Sequence, residues 1–284
     1  MDYHADRFED FSLLIYDESR QLRGVMPANR RGANVISHDG LTYGGIVSDQ
    51  TMTTPAMMAV FDALVVFLKQ QGVDRLIYKT IPNIYSRLPA EEDRYALFRH
   101  DASLIRRDVL SVVKLDQKPP YQRRRLRKIE LARKSGVVVC PSQAFNVFWP
   151  VLKANLMHIH GVKPVHSLAE IERLAVAFPD NIHLHLAQGS QGSSGDVLAG
   201  VITYVSDEVA HAQYIAASEE GRTCGALDLL FAHLLEKTYA KKCYFDFGIS
   251  NENAGRHLNV GLIEQKEGFG ARAVVHDQYE LVVR

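Results

Sequence analysis

With 284 residues, 46% hydrophobic and 23% charged, the chain has a globular composition and is long enough for one large domain or two of ordinary size. Its 33 basic and 33 acidic residues cancel, so no global field favours nucleic acid or membrane, and an anionic partner needs a local patch. Cys140, Cys224 and Cys243 are too scattered for a disulfide frame or a metal spacing and suit a reducing compartment. A polar start at Met1 to Asp6 and no apolar run beyond that around Ala63 to Leu68 complete the expectation of a cytoplasmic protein.

Short alternating runs come first, at Ser12–Tyr16, Gln21–Pro27, Ala33–Ser37 and Tyr43–Ser48, with turns at Arg30-Arg31-Gly32 and His38-Asp39-Gly40. This reads as an antiparallel meander. The period then changes: Met57, Val60, Phe61, Leu64 and Leu68 share one helix face between Pro55 and Gly72. A strand at Arg75–Lys79, a short helix at Glu91–Arg99 and one or two strands over Leu104–Leu115 follow.

The middle of the chain is helical, with a basic helix at Tyr121–Ser135 and an apolar-faced one at Phe145–His160. Ser167-Leu168-Ala169-Glu170 is a capping box opening a third, with Leu168, Ile171, Ala175 and Phe178 facing inward. Strands are expected at Ile182–Ala187, Val197–Val205 and Ala210–Ala216, the first two joined by a flexible Gly189–Gly195 hairpin loop. A helix carrying Leu227, Leu230, Phe231, Leu234 and Leu235, a buried strand Cys243–Phe247, a helix near Asn253–Glu267 and a strand Ala271–Val283 complete it. Meander, helix, strand, helix, strand thus occurs twice. The boundary is expected near residue 165, giving domains 1–165 and 166–284.

Tyr244-Phe245-Asp246-Phe247-Gly248-Ile249-Ser250, Leu258-Asn259-Val260-Gly261-Leu262 and Lys266-Glu267-Gly268-Phe269-Gly270 resemble the C-terminal signature of GNAT proteins related to the Fem peptidyltransferases. Tyr78–Tyr85 and Pro89–Asp93 resemble their N-terminal half. The resemblance implies an α/β (α+β) fold of two tandem GNAT-like units, each a mixed, mostly antiparallel sheet flanked by helices. It also implies amide formation on an amino group, often within cell-envelope glycan assembly, by direct attack of the amine on an activated acyl carbonyl.

Such folds hold the donor pyrophosphate where a loop enters the helix after the long strand, and backbone N–H groups there suit an anion. Arg222-Thr223-Cys224-Gly225-Ala226-Leu227 occupies that place, so Arg222, Thr223 and Gly225 are the candidate cofactor contacts and acyl-CoA is the leading donor. Leu227 replaces a small residue and Glu219 and Glu220 add negative charge, a pattern that also fits an ordinary helix start. Where the family places a tyrosine acid this chain has Glu264, which reads as a surface residue.

Asp246, in a strand with aromatic neighbours, is the candidate base, or else a helix cap or a partner of Arg256; Ser250 follows as a second catalytic candidate. Asn251 and Asn259, with Tyr43, Lys79, Tyr85 and Arg87 from the first half, are candidates for holding an anionic acceptor such as a nucleotide or lipid-linked amino-sugar. Tyr43-Gly44-Gly45 leaves backbone open to a ligand. The run Arg123–Lys128 with Arg133-Lys134 suits tRNA phosphates or an anionic lipid surface, and equally a solvated helix face. His183/His185 share a strand face but lack a third ligand nearby, so no metal is expected, and nothing indicates DNA. The rival readings are an aminoacyl-tRNA-dependent transferase and a non-catalytic GNAT-like binding module in a glycan-assembly complex.

Overall fold

The computed structural model describes residues 6–189 and 196–283, so the Gly189–Gly195 loop lies, from residue 190 onward, outside the described residues. The chain packs as two compact units, one of residues up to Val109 with Asn251–His257 and Val274 onward, the other of Leu110–Ser250 with Leu258–Ala273.

The first unit contains β1 (Glu9–Asp10), β2 (Leu13–Tyr16), β3 (Leu22–Met26), β4 (Asn29–Arg31), β5 (Asn34–Ile36) and β6 (Val47–Ser48). Next come α1 (Thr54–Gln70), β7 (Arg75–Lys79), α2 (Glu92–Arg99) and the start of β8 (Ser103–Lys114). The expected meander is divided between two sheets: β2-β3-β6 form one, while β4 and β5 join β7. Tyr43–Ser48 is a strand only at its end. Residues before it are drawn over the end of β7, where the Ile46 N–H donates to Tyr78 Oη at 2.8 Å and the Lys79 N–H to Ser37 Oγ at 2.8 Å.

Helix α1 starts where Thr53 Oγ1 accepts the Ala56 N–H, has Pro55 in its first turn and buries Met57, Phe61, Leu64 and Leu68. Each such side chain contributes roughly 1.5–3 kcal/mol of burial. It carries the chain from β5 to β7, which pair in parallel at Asn34↔Arg75, Val35↔Leu76 and Ile36↔Ile77.

The second unit holds α3 (Arg123–Lys134), β9 (Val138–Ser142), α4 (Phe145–His160), α5 (Leu168–Ala177), β10 (Ile182–Gln188), β11 (Val197–Val205) and β12 (Val209–Ala217). After these come α6 (Glu219–Cys224), α7 (Ala226–His233) and β13 (Tyr244–Ile249). The chain ends through β14 (Asn251–Glu252), β15 (His257–Leu258), α8 (Val260–Glu267) and β16 (Arg272–Val282). In this unit the strand order is β8-β13-β12-β11-β10-β9, antiparallel except for β12 and β13. One face packs Ile129, Ala132, Leu230, Phe231 and Leu234 against Phe245 and Phe247; the other packs Phe148, Trp149, Leu152 and Ile171 against Leu184, Ile202 and Tyr214.

Two stretches of the chain therefore repeat a parallel strand pair joined by a helical crossover, then a helix and a long strand (α1, α2 and β8; α6 with α7, α8 and β16). The mixed, mostly antiparallel tandem fold is as expected. The compact division is not at residue 165, which lies inside the second unit: α4 and α5, on either side of it, share one apolar cluster with β10–β12. Its physical origin is an exchange. The last strand of the first repeat, β8, pairs its end with β13 at Phe245↔Val113, and the last strand of the second, β16, pairs with β7 at Tyr279↔Tyr78.

Three local expectations change. Strand β9 was not anticipated; it is an edge strand, the place where Pro141 is tolerated. The helix near Asn253 begins only at Val260, because Asn253, Ala254 and Gly255 all have positive φ and turn the chain between β14 and β15. Phe178 caps α5 and is 53% exposed, not inward-facing.

Candidate functional site

Strands β12 and β13 pair at Val209↔Tyr244, Ala210↔Phe245 and His211↔Asp246, and no further. Beyond that point both lose register. On β12, Gln213 is an extra residue against β11, because Thr203 faces Ala212 while Ile202 faces Tyr214. On β13, one extra residue lies against β8 between Asp246 and Ile249, with Gly248 at φ +75°. Bulges bend a strand and end its pairing. The sheet consequently parts just past His211 and Asp246.

At the parting, His211 Nδ1 lies 2.9 Å from Asp246 Oδ2, and the Gly248 N–H donates to Asp246 Oδ1 at 2.7 Å. Asp246 is 1% exposed, and the His211 side chain is 15% exposed. A buried carboxylate needs such partners. With the carboxylate on Nδ1, the imidazole carries its proton there and presents Nε2 as the basic nitrogen. Lys266 of α8 is also buried and donates from Nζ to the carbonyls of Gly248 and Ile249 at 3.1 and 2.6 Å. Burial lowers its pKa to about 8, partly offset by the negative charge of Asp246. A base, a carboxylate that orients it and a buried cation thus meet where the sheet opens.

Residues 121–254 match the model of a family described as Acetyltransferase (GNAT) domain. Over that stretch the chain is similar to a GNAT domain. Over nearly its whole length it has the fold of the protein in the crystal structure of FemX, with TM-score 0.67, 13% identity and coverage of 97% of this chain and 88% of that one. The structure of L-PGS from Bacillus licheniformis gives 0.63 at 12% identity, covering 96% and 84%. A tandem GNAT protein from the clavulanic acid biosynthesis pathway gives 0.52 at 9% identity, covering 96% and 82%. No curated protein sequence matches significantly.

Within the matched residues, the segment expected to cradle a pyrophosphate is a closed helical turn. Ser218 Oγ accepts the Gly221 N–H, the Arg222 N–H donates to Ser218 O, and the Gly225 N–H donates to Gly221 O. The Arg222 guanidinium is bonded to Ala217 O at 3.0 Å, and the Thr223 hydroxyl to Glu219 O. Lys128 Nζ covers the Arg222 and Thr223 carbonyls at 3.3 and 3.1 Å. Gly225 is needed by the turn itself: its φ is +81°, and a Cβ there would lie 2.4 Å from Lys128 O.

The basic helix α3 divides its charge. Arg125 turns inward to Asp228 at 2.6 Å, and Arg124 donates to Glu264 O, leaving the Glu264 carboxylate exposed as expected. Arg123, Arg124, Arg127, Arg133 and Lys134 are exposed.

The other candidates are placed by local contacts. Ser250 is fully buried and shares a hydrogen bond with Ser111 at 2.8 Å. Asn259 caps α8 by accepting the Leu262 N–H. In the first unit, Asn251 accepts the Val109 N–H and donates to Asp108. Lys79 is buried with Nζ on the carbonyls of His38 and Leu41 at 2.7 and 2.8 Å, and burial lowers its pKa. Gly44 and Gly45 leave room for the fold rather than for a ligand, since Cβ atoms there would meet Ser37 O at 1.7 Å and Tyr78 Oη at 2.9 Å. Tyr43 and Tyr85 stack at 4.6 Å, and Tyr85 and Arg87 line a cavity of about 720 Å³. His183 stacks on Tyr239, and His185 is buried with its pKa lowered to about 4; among the described residues no group of three potential ligands could hold a metal.

Asp246 meets His211, not Arg256. The sequence alternation of β12 gave no sign that His211, 35 residues upstream, would face that carboxylate. Lys266 stood in the family-like segment but showed no sign of burial.

Proposed function

We propose that this chain is an acyltransferase in which an amine attacks an activated acyl carbonyl at the parting of β12 and β13. The observation that carries the reading is the His211–Asp246 pair at that point. His211 Nε2 takes the proton of the attacking amine as the N–C bond forms. It returns that proton to the leaving oxygen or sulfur as the acyl bond breaks, so no covalent enzyme intermediate is required. Asp246 is too buried to meet the amine itself; it holds the ring and stabilises the imidazolium. Lys266 supplies fixed positive charge for the tetrahedral oxyanion.

Two features favour aminoacyl-tRNA over acyl-CoA as donor. The amides of Arg222 and Gly225 are spent inside the α6 turn, and exposed arginines of α3 offer a face for a polyanion. The acceptor is an amine, for which a nucleotide or lipid-linked amino-sugar of the cell envelope is the leading class.

The test is to incubate the full chain with nucleotide amino-sugars and either total aminoacyl-tRNA or acetyl-CoA, and to follow amide formation. Transfer from charged tRNA supports the reading. Transfer from acetyl-CoA alone would replace the donor, and binding without transfer from either would leave a binding module.

A further inference from the structure

A cavity in the second unit, of about 690 Å³, is walled by α4 and residues 162–170. It includes none of His211, Asp246 and Lys266, so it is separate from the transfer site. Its body is apolar, with Trp149, Met157, Val162 and Val165 among the lining, and Lys153 and Lys163 stand in the same wall. Trp149 is 2% exposed, yet its indole Nε1 has no hydrogen-bond partner in the structure.

The apolar lining is also open to solvent. Met157, Val162 and Val165 are 52%, 50% and 80% exposed, and they sit beside the two exposed lysines. The one carboxylate in the lining, Glu170, accepts the Ser167 N–H at 2.7 Å in the capping box. Exposed apolar side chains next to lysines match an anionic membrane interface: the apolar groups enter the acyl boundary while the ammonium groups meet phosphate.

We propose that this cavity binds an anionic phospholipid of a bilayer, with phosphate against Lys153 and Lys163 and the acyl boundary against Met157, Val162 and Val165. The site stands independently of the acyl-transfer reading. It makes the chain a peripheral membrane binder through α4 and the segment that follows it.

Trp149 is the single tryptophan of the chain, so its fluorescence reports on this cavity. The full chain is mixed with phosphatidylcholine vesicles, with the same vesicles containing phosphatidylglycerol, and with versions brominated on the acyl chains. Binding is expected only with phosphatidylglycerol present, with Trp149 quenched by the brominated lipid. Lys153→Glu with Lys163→Glu should lower partitioning roughly tenfold or more, while Lys153→Arg with Lys163→Arg retains it and circular dichroism stays unchanged. Equal binding to neutral vesicles, no quenching, or full binding by the doubly reversed variant would overturn the proposal. A Trp149 response to inorganic phosphate or to a soluble fatty-acid anion, without vesicle binding, would overturn the bilayer assignment.

Discussion

His211 and Asp246 are the last paired residues of β12 and β13, and their side chains join at 2.9 Å where the two strands separate. The pairing register fixes the two backbones opposite each other, and the bulge after each residue opens the space beyond. One consequence is coupling. Asp246→Asn removes the charge that holds the imidazolium, so turnover should fall roughly a hundredfold. Added to His211→Gln it should cost little more, because the two residues act as one device. Steady-state rates of both single variants and the double variant check this; multiplicative losses would mean independent roles.

Donor recognition by α3 has its own signature. Replacing Arg123, Arg124 and Arg127 by alanine should weaken charged-tRNA binding and flatten its salt dependence, since every phosphate no longer neutralised by an arginine takes about one counterion off the slope. Arg222→Glu should leave acetyl-CoA affinity unchanged, because that guanidinium is bonded to Ala217 O. Calorimetry over a salt series reads both.

Lys266 titrates near 8 in the folded chain, below the ordinary lysine value of 10.5. The unfolded chain therefore binds more protons between those two values, and stability from this group rises with pH across that window. Below about pH 8 the full cost of burying the ammonium is present. Lys266→Met removes the titration, so the stability difference between variant and wild type should shift in favour of wild type from pH 8 to pH 10. Denaturant melts at several pH values measure it; a difference that stays flat would mean that Lys266 titrates normally.

Asn251 ties together two groups of the first unit, the Val109 N–H and the Asp108 carboxylate, at 2.6 and 2.8 Å. Asn251→Ala leaves both without that partner in a buried place and should cost about 2 kcal/mol or more of stability. Urea unfolding reads the loss directly. A variant as stable as wild type, but impaired in transfer, would return Asn251 to the site.

Elements whose signal is local were legible in the sequence. The capping box at Ser167, the face of α1 and the limits of β11 follow from neighbouring residues alone. The exchange of β8 and β16 was not legible, because nothing in either strand names its partner. Asp246 stood out as a carboxylate among aromatic residues, yet its working partner depends on a parallel register. The same limit hid Lys266, whose role comes from burial against two carbonyls. Arg222, Thr223 and Gly225 looked like a phosphate loop because glycine after a polar run has that pattern; the geometry uses the glycine for a turn against Lys128.

The central claim is that His211 removes the proton of the acceptor amine. The most direct measurement is the single-turnover rate of acyl transfer by His211→Ala, with and without added imidazole, beside a wild-type control. The rate should fall roughly a hundredfold or more, with imidazole restoring part of it and substrate binding unchanged. Transfer by His211→Ala at the wild-type rate, without imidazole, would contradict the account.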